Sequence, residues 1–178
     1  MDHQKLILDR LTTILSETDN SNAAKLTSLV DGAGRIFIGG AGRSLLVSRF
    51  FAMRLVHTGY SVSMVGEVVT PAIKAGDLLV LVSGSGSTET LLPFVKKAKS
   101  VGAKLAVVSM KSKSVMADVA DLNVQIGNDN SFPLTTGMPI GAQFELSALI
   151  FLEAVIADII AAKDLTEEGM RAIHANLE

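Results

Sequence analysis

The chain contains neither cysteine nor tryptophan. Without cysteine there is no disulfide, no thiolate nucleophile and no thiolate metal ligand, which excludes covalent thiol chemistry and Cys-based metal sites. Histidine is scarce as well: His3, His57 and His174 show no ligand spacing, which disfavours a metal. An excess of charge is also missing. Sixteen Lys and Arg stand against 18 Asp and Glu, a net charge of -2, so there is no basic surplus to track a nucleic acid. The start, Met1-Asp2-His3-Gln4-Lys5, leads into a pattern interrupted by Asp9 and Arg10, not into the apolar core of a signal peptide. A cytoplasmic protein is expected. The longest apolar stretch, 142–162, carries Glu145, Glu153 and Asp158, and those carboxylates make a membrane span costly. Burial between a sheet and a second subunit is the expectation for it.

What is present is organised around Gly76-Asp77-Leu78-Leu79-Val80-Leu81-Val82-Ser83-Gly84-Ser85-Gly86-Ser87-Thr88-Glu89-Thr90. An apolar run of strand length, opened by a Gly-Asp turn and closed by a Gly/Ser/Thr loop, predicts a central parallel strand delivering its C-terminal end to a functional loop. The glycines allow close backbone approach, and Ser83, Ser85, Ser87, Thr88 and Thr90 offer hydroxyls just before a helix N-terminus. Such a loop suits a phosphate, although Gly/Ser loops also simply turn a chain. A Walker A loop would need Gly-Lys-Ser/Thr at its end. Gly40-Ala41-Gly42-Arg43-Ser44-Leu45 lacks the third glycine of the dinucleotide fingerprint. The phosphate of a small metabolite is therefore the better match.

Taken in order, Leu6, Ile7, Leu11, Ile14 and Leu15 predict a first helix, and Asn20-Ser21-Asn22 a cap for a second ending near Val30. Strands are expected at 35–39, 61–65, 78–82, 104–109 and 122–126, the last at an edge. Helices are expected at 44–58, from 87–90 to 101, briefly at 114–117, at 142–162 and after Thr166-Glu167-Glu168; 67–74 reads as a short helix or a loop. The segment 127–141 is longer than an ordinary connection and is expected to border the site. This alternation predicts an α/β fold, a single doubly wound domain with a mostly parallel sheet of about five strands flanked by helices. In such sheets ligands bind beyond the carboxyl ends of the strands, where Ser44 and the 83–88 loop would converge.

Gly40-Ala41-Gly42-Arg43-Ser44, Ser83-Gly84-Ser85-Gly86-Ser87-Thr88, Gly141-Ala142-Gln143-Phe144-Glu145 and Arg171-Ala172-Ile173-His174-Ala175-Asn176-Leu177-Glu178 resemble the signature stretches of 6-phospho-3-hexuloisomerase, a family within the sugar isomerase (SIS) domain group. The likeness runs in order through nearly the whole chain and includes Met53-Arg54-Leu55-Val56-His57. It implies one SIS domain over 1–178, with helices of 3–30 and 142–178 packing on it. The activity implied is interconversion of D-arabino-hex-3-ulose 6-phosphate and fructose 6-phosphate in formaldehyde fixation by the ribulose monophosphate route. The resemblance further implies a homotetramer, a phosphosugar substrate and no metal or organic cofactor. Ser87 stands where the group often has Glu, Ala142 where a hydroxyl residue is common, and Leu45 where glycine is frequent.

By the same resemblance Ser44, Ser83, Ser85 and Thr88 hold the phosphate with their hydroxyls and Gly84 with its amide. Moving a carbonyl between neighbouring carbons requires a base that removes one proton and returns it through an enediol, with donors that stabilise charge on the oxygens. Glu145, in the first turn of an apolar helix, reads as a capping carboxylate from its position alone and as that base from the resemblance. His174 and His57 compete for the proton shuttle, with His174 favoured by its terminal motif and reaching its own or a neighbouring subunit's site. Arg43 holds a sugar oxygen or forms a surface ion pair. The competing readings are a non-enzymatic sugar-phosphate sensor, an isomerase of another phosphosugar such as an arabinose or heptose phosphate, and a structural oligomeric protein.

Overall fold

The structure, a computed structural model, describes residues 2–133 and 137–176. Five strands, β1 (Ile36–Gly40), β2 (Val62–Met64), β3 (Leu78–Val82), β4 (Lys104–Ser109) and β5 (Leu122–Gln125), form one wholly parallel sheet in the order β2-β1-β3-β4-β5. Central β3 is buried along its whole length, which is why it reads as an unbroken apolar run. Its period of two then divides the core. Leu78, Val80 and Val82 join one apolar cluster and Leu79 and Leu81 the other, on the opposite face.

Helices α1 (His3–Ser16), α2 (Ser21–Asp31), α3 (Arg43–His57) and α5 (Ala142–Ala162) cover the first face. The second carries α4 (Leu92–Ser100), entered through a 3-10 turn at Glu89–Leu91 with Pro93 in the first helical turn, where its missing N–H costs no bond. The crossover helix after β1 and the crossover helix after β3 thus lie on opposite faces. The gap between those two strands is the topological switch point, and Gly40 and Val82 are register partners at its rim.

Helix α5 buries Phe144, Ala148, Phe151, Leu152, Val155, Ile156 and Ile159 and packs against α1, α2 and α3. Among the described residues no helix is long and apolar enough to cross a membrane. Short α6 (Glu167–Ala172) starts at Thr166, whose hydroxyl accepts from Gly169 N at 3.1 Å.

Local expectations needed correction where a neighbour does the job. Asn20 precedes α2 in helical conformation and makes no side-chain cap; Asp19 accepts instead from the Ser21 N–H at 2.9 Å and the Ser21 hydroxyl at 2.8 Å. The short helix expected at 114–117 is a 3-10 turn at Ala117–Val119, because Ser114 Oγ accepts from Ala117 N and so acts as its lead-in. Of the two alternatives for 67–74, a short helix or a loop, the structure has the loop; Thr70 there donates to the Met64 carbonyl and Pro71 follows.

Candidate active site

The switch point gathers the ends of three elements. The loop 83–88 leaves β3, the turn 41–42 leaves β1 for α3, and the long connection 127–141 delivers the first turn of α5. The first loop is a tight hydrogen-bonded turn. Gly86 N donates to the Ser83 carbonyl at 2.9 Å, the Ser83 and Thr88 hydroxyls lie 2.9 Å apart, and Ser87 N donates to Ser85 Oγ at 3.2 Å. Ser83 is buried, Gly84 and Thr88 are half-buried, and Ser85 is exposed, so the hydroxyls grade from a fixed floor to an open rim. Gly86, with φ +61°, carries the reversal, and a β-carbon there would overlap Ser114.

Two helix starts face this loop without a side-chain cap. α3 begins after Gly42 (φ +56°) with Ser44 half-buried in its first turn, and α5 begins after Gly141 (φ +83°). Their leading N–H groups and dipoles favour an anion. Gly84 makes the approach close. A β-carbon on it would lie 3.1 Å from Phe144 Cδ1 and 3.2 Å from Met110 Cε, tighter than ordinary contact, so glycine lets the hydroxyl loop sit against α5 without either side chain giving way. An apolar cavity of about 390 Å³ adjoins this contact, lined by Met110, Phe132, Ile140 and Phe144 among others.

Arg43 and Glu145 meet across the site. Arg43 Nε donates to both Glu145 carboxylate oxygens at 2.9 Å, and its Nη2 donates to the Ile140 carbonyl at 2.8 Å. The Glu145 side chain is 18% exposed, that of Arg43 58%. A carboxylate so placed is oriented, partly shielded and still reachable from the crevice, as a carbon-acid base requires. The pair spans 102 positions, and no local pattern in the chain announces it.

His57 and His174 are brought together, but elsewhere. Their rings stack at 4.7 Å between centroids and 22° between planes, beside a cavity of about 380 Å³ lined by Arg54, Glu153, Glu167 and Arg171 among others. His57 ends the helix that Arg43 begins, which separates the two by about 21 Å along α3. Within one chain, therefore, Ser44, Ser83, Gly84, Ser85, Thr88, Arg43 and Glu145 share the switch point and neither histidine joins them. Two further contacts escaped sequence reasoning: Gly84 on Phe144, and Gln143 with Arg10, whose Nε donates to Gln143 Oε1 at 2.8 Å. Among the described residues no three His, Asp or Glu stand together as a metal site would need.

Comparison with known proteins matches this architecture. The SIS domain model matches residues 29–149. The 3-hexulose-6-phosphate isomerase of Methylomonas aminofaciens is 66% identical over 178 residues, covering 99% of this chain and 98% of the relative. The Bacillus subtilis protein of the same name is 36% identical over 176 residues, covering 97% and 95%. A solved Methanococcus jannaschii structure, from which a molecular function of 3-hexulose-6-phosphate isomerase was inferred, superposes with a TM-score of 0.88 at 32% identity over 100% of both chains. The chain belongs to the SIS-domain family and, within it, to the 3-hexulose-6-phosphate isomerases.

Proposed function

We propose that the protein interconverts D-arabino-hex-3-ulose 6-phosphate and fructose 6-phosphate through an enediol. One juxtaposition carries the reading: Gly84 seats the hydroxyl loop directly against the helix turn that bears Glu145. The phosphate lies among Ser44, Ser83, Ser85, Thr88 and the Gly84 amide, supported by the uncapped start of α3. Glu145 takes the proton from carbon 2 of the hexulose, the carbonyl at carbon 3 becomes the second enediol oxygen, and the same carboxylic acid returns the proton to carbon 3 as the carbonyl forms at carbon 2. No electron leaves the substrate. Arg43, already bonded to Glu145, holds the carboxylate and offers positive charge to the enediolate oxygens.

A second copy completes the site in this reading, as part of a cytoplasmic homotetramer. Helix α3 exposes Leu46 (64%), Phe50 (42%) and Met53 (41%), an apolar stripe centred between Arg43 and His57. Two α3 helices laid antiparallel about Phe50 would bring His57 and His174 of one copy toward Glu145 of the other, and in that arrangement the histidines serve as the proton shuttle for hydroxyl oxygens and ring opening.

The test is conversion of hexulose 6-phosphate to fructose 6-phosphate in the presence of a chelator, with Glu145→Gln as control. The expected loss in that variant is at least about 100-fold, with phosphosugar binding retained. Binding without turnover in the unaltered protein would make it a sugar-phosphate sensor instead. For the shared site, mixing inactive Glu145→Gln with inactive His174→Ala subunits should restore activity, because some sites then receive both intact groups. Failure to complement would return the histidines to a structural role.

A further inference from the structure

Helix α1 and the two residues that follow it run beside the connection 127–133 and touch it with three side chains, Arg10 from the helix and Glu17 and Thr18 from its C-terminal end. Thr18 Oγ1 accepts from Gly127 N at 2.7 Å; Ser131 Oγ, which itself accepts from Asn128 N at 2.7 Å, donates to the Glu17 carboxylate; Arg10 Nη2 donates to the Ser131 carbonyl. The other arm of the half-buried Arg10 guanidinium reaches α5, where Nε donates to Gln143 Oε1 at 2.8 Å, and Gln143 Nε2 turns back to donate to the Pro133 carbonyl at 3.3 Å. A single planar fork thus ties α1, the long connection and the first turn of α5 together.

Gln143 and Glu145 are two positions apart on a helix, so their side chains diverge by about 200°. Arg43 from α3 grips the Glu145 side of that turn, and Arg10 from α1 grips the opposite side. The turn needs this grip because its entry residue, Gly141, offers no side-chain cap and no conformational stiffness. From this geometry we infer that Arg10 is a positioning residue for the isomerisation: acting through Gln143, it fixes the first turn of α5 and with it the reach of the Glu145 carboxylate into the crevice. The inference rests on Glu145 being the base. It requires no contact between Arg10 and the substrate.

Steady-state kinetics on Arg10→Ala, Gln143→Ala, the double variant and Arg10→Lys tests it, with hexulose 6-phosphate as substrate and thermal unfolding followed in parallel. A carboxylate displaced by a fraction of an ångström should lower kcat about tenfold, while KM stays within about twofold because the phosphate loop is untouched. Gln143→Ala should lose as much, the double variant no more than either single one, and Arg10→Lys should recover part of the rate. If Arg10→Ala retains kcat, raises only KM, or multiplies its loss with that of Gln143→Ala, the inference is overturned. Should Arg10→Ala fail to fold, Gln143→Ala decides: a kcat loss at unchanged melting temperature supports the coupling and an unchanged kcat refutes it. Failure of the underlying reading is separable, since it would appear as retained turnover in Glu145→Gln whatever Arg10→Ala does.

Discussion

Replacing Gly141 by alanine should separate the stability of the fold from the placement of Glu145, the proposed base. Gly141 enters α5 with φ +83° and ψ -21°, a conformation that costs an L-residue about 1 kcal/mol. Its added β-carbon would stand 2.7 Å from Glu145 Oε1 and 3.2 Å from Glu145 Cδ, and would overlap Arg43 Nη2. To regain an ordinary contact the carboxylate must retreat by roughly 0.7 Å, against an arginine that the same methyl also displaces. The backbone cost should lower the melting temperature by about 2–4 °C. Misplacing the base by that distance should lower kcat about 10- to 100-fold. KM should stay within about threefold, since Ser83, Ser85 and Thr88 lie on another loop. A continuous assay for fructose 6-phosphate, run beside thermal unfolding, gives all three numbers. Gly141→Asn serves as control: asparagine tolerates the left-handed backbone but keeps the clash, so the melting temperature should recover and kcat should not. A lowered melting temperature with kcat within twofold would mean that the reaction is indifferent to where Glu145 stands, and would remove it as the base.

Ser83→Ala removes a buried hydroxyl 2.9 Å from Thr88 Oγ1; KM should rise about tenfold in initial-rate measurements, and denaturant melts should show a loss of about 1 kcal/mol. An unchanged KM would remove Ser83 from the phosphate site. Arg43→Lys keeps the charge but cannot bond the Glu145 carboxylate and the Ile140 carbonyl together, so kcat should fall about tenfold while the melting temperature moves by less than about 2 °C, as befits an exposed ion pair. Burial works against ionisation of Asp121, but the Leu105 N–H at 2.9 Å and the Lys104 and Lys99 ammonium groups at 3.0 Å more than offset it and hold its pKa at about 2. The folded value lies below the ordinary 3.8, so this stabilisation is complete above pH 3.8 and disappears as pH falls through 2. Urea melts should place Asp121→Asn about 1 kcal/mol below the unaltered protein near pH 6, after allowance for solvent screening, with the two converging toward pH 2. A gap that persists undiminished at pH 2 would count against the charge as its origin.

The parallel α/β layering and the loop at its centre were legible in the amino-acid sequence alone. A strand buried on both faces must be apolar throughout, and a backbone that reverses sharply at positive φ favours glycine; both demands are local and therefore visible in 78–88. The 3.6-residue spacing of α1 and α3 and the glycine after α3 were legible for the same reason. Choices between near neighbours were less so. Asp19 and Asn20 are equally able to cap α2, and only the backbone angles decide which side chain turns back. Pairings at long separation were not legible at all. Arg43 lies 102 positions from Glu145 and Arg10 133 from Gln143, and an arginine compatible with water or with a carboxylate carries no mark of its partner. Tertiary structure alone decided that two arginines grip opposite sides of one helix turn. It decided too that His57 and His174 stack at the far end of α3, because helix length is a matter of rise per residue, while convergence depends on which elements the sheet order places side by side.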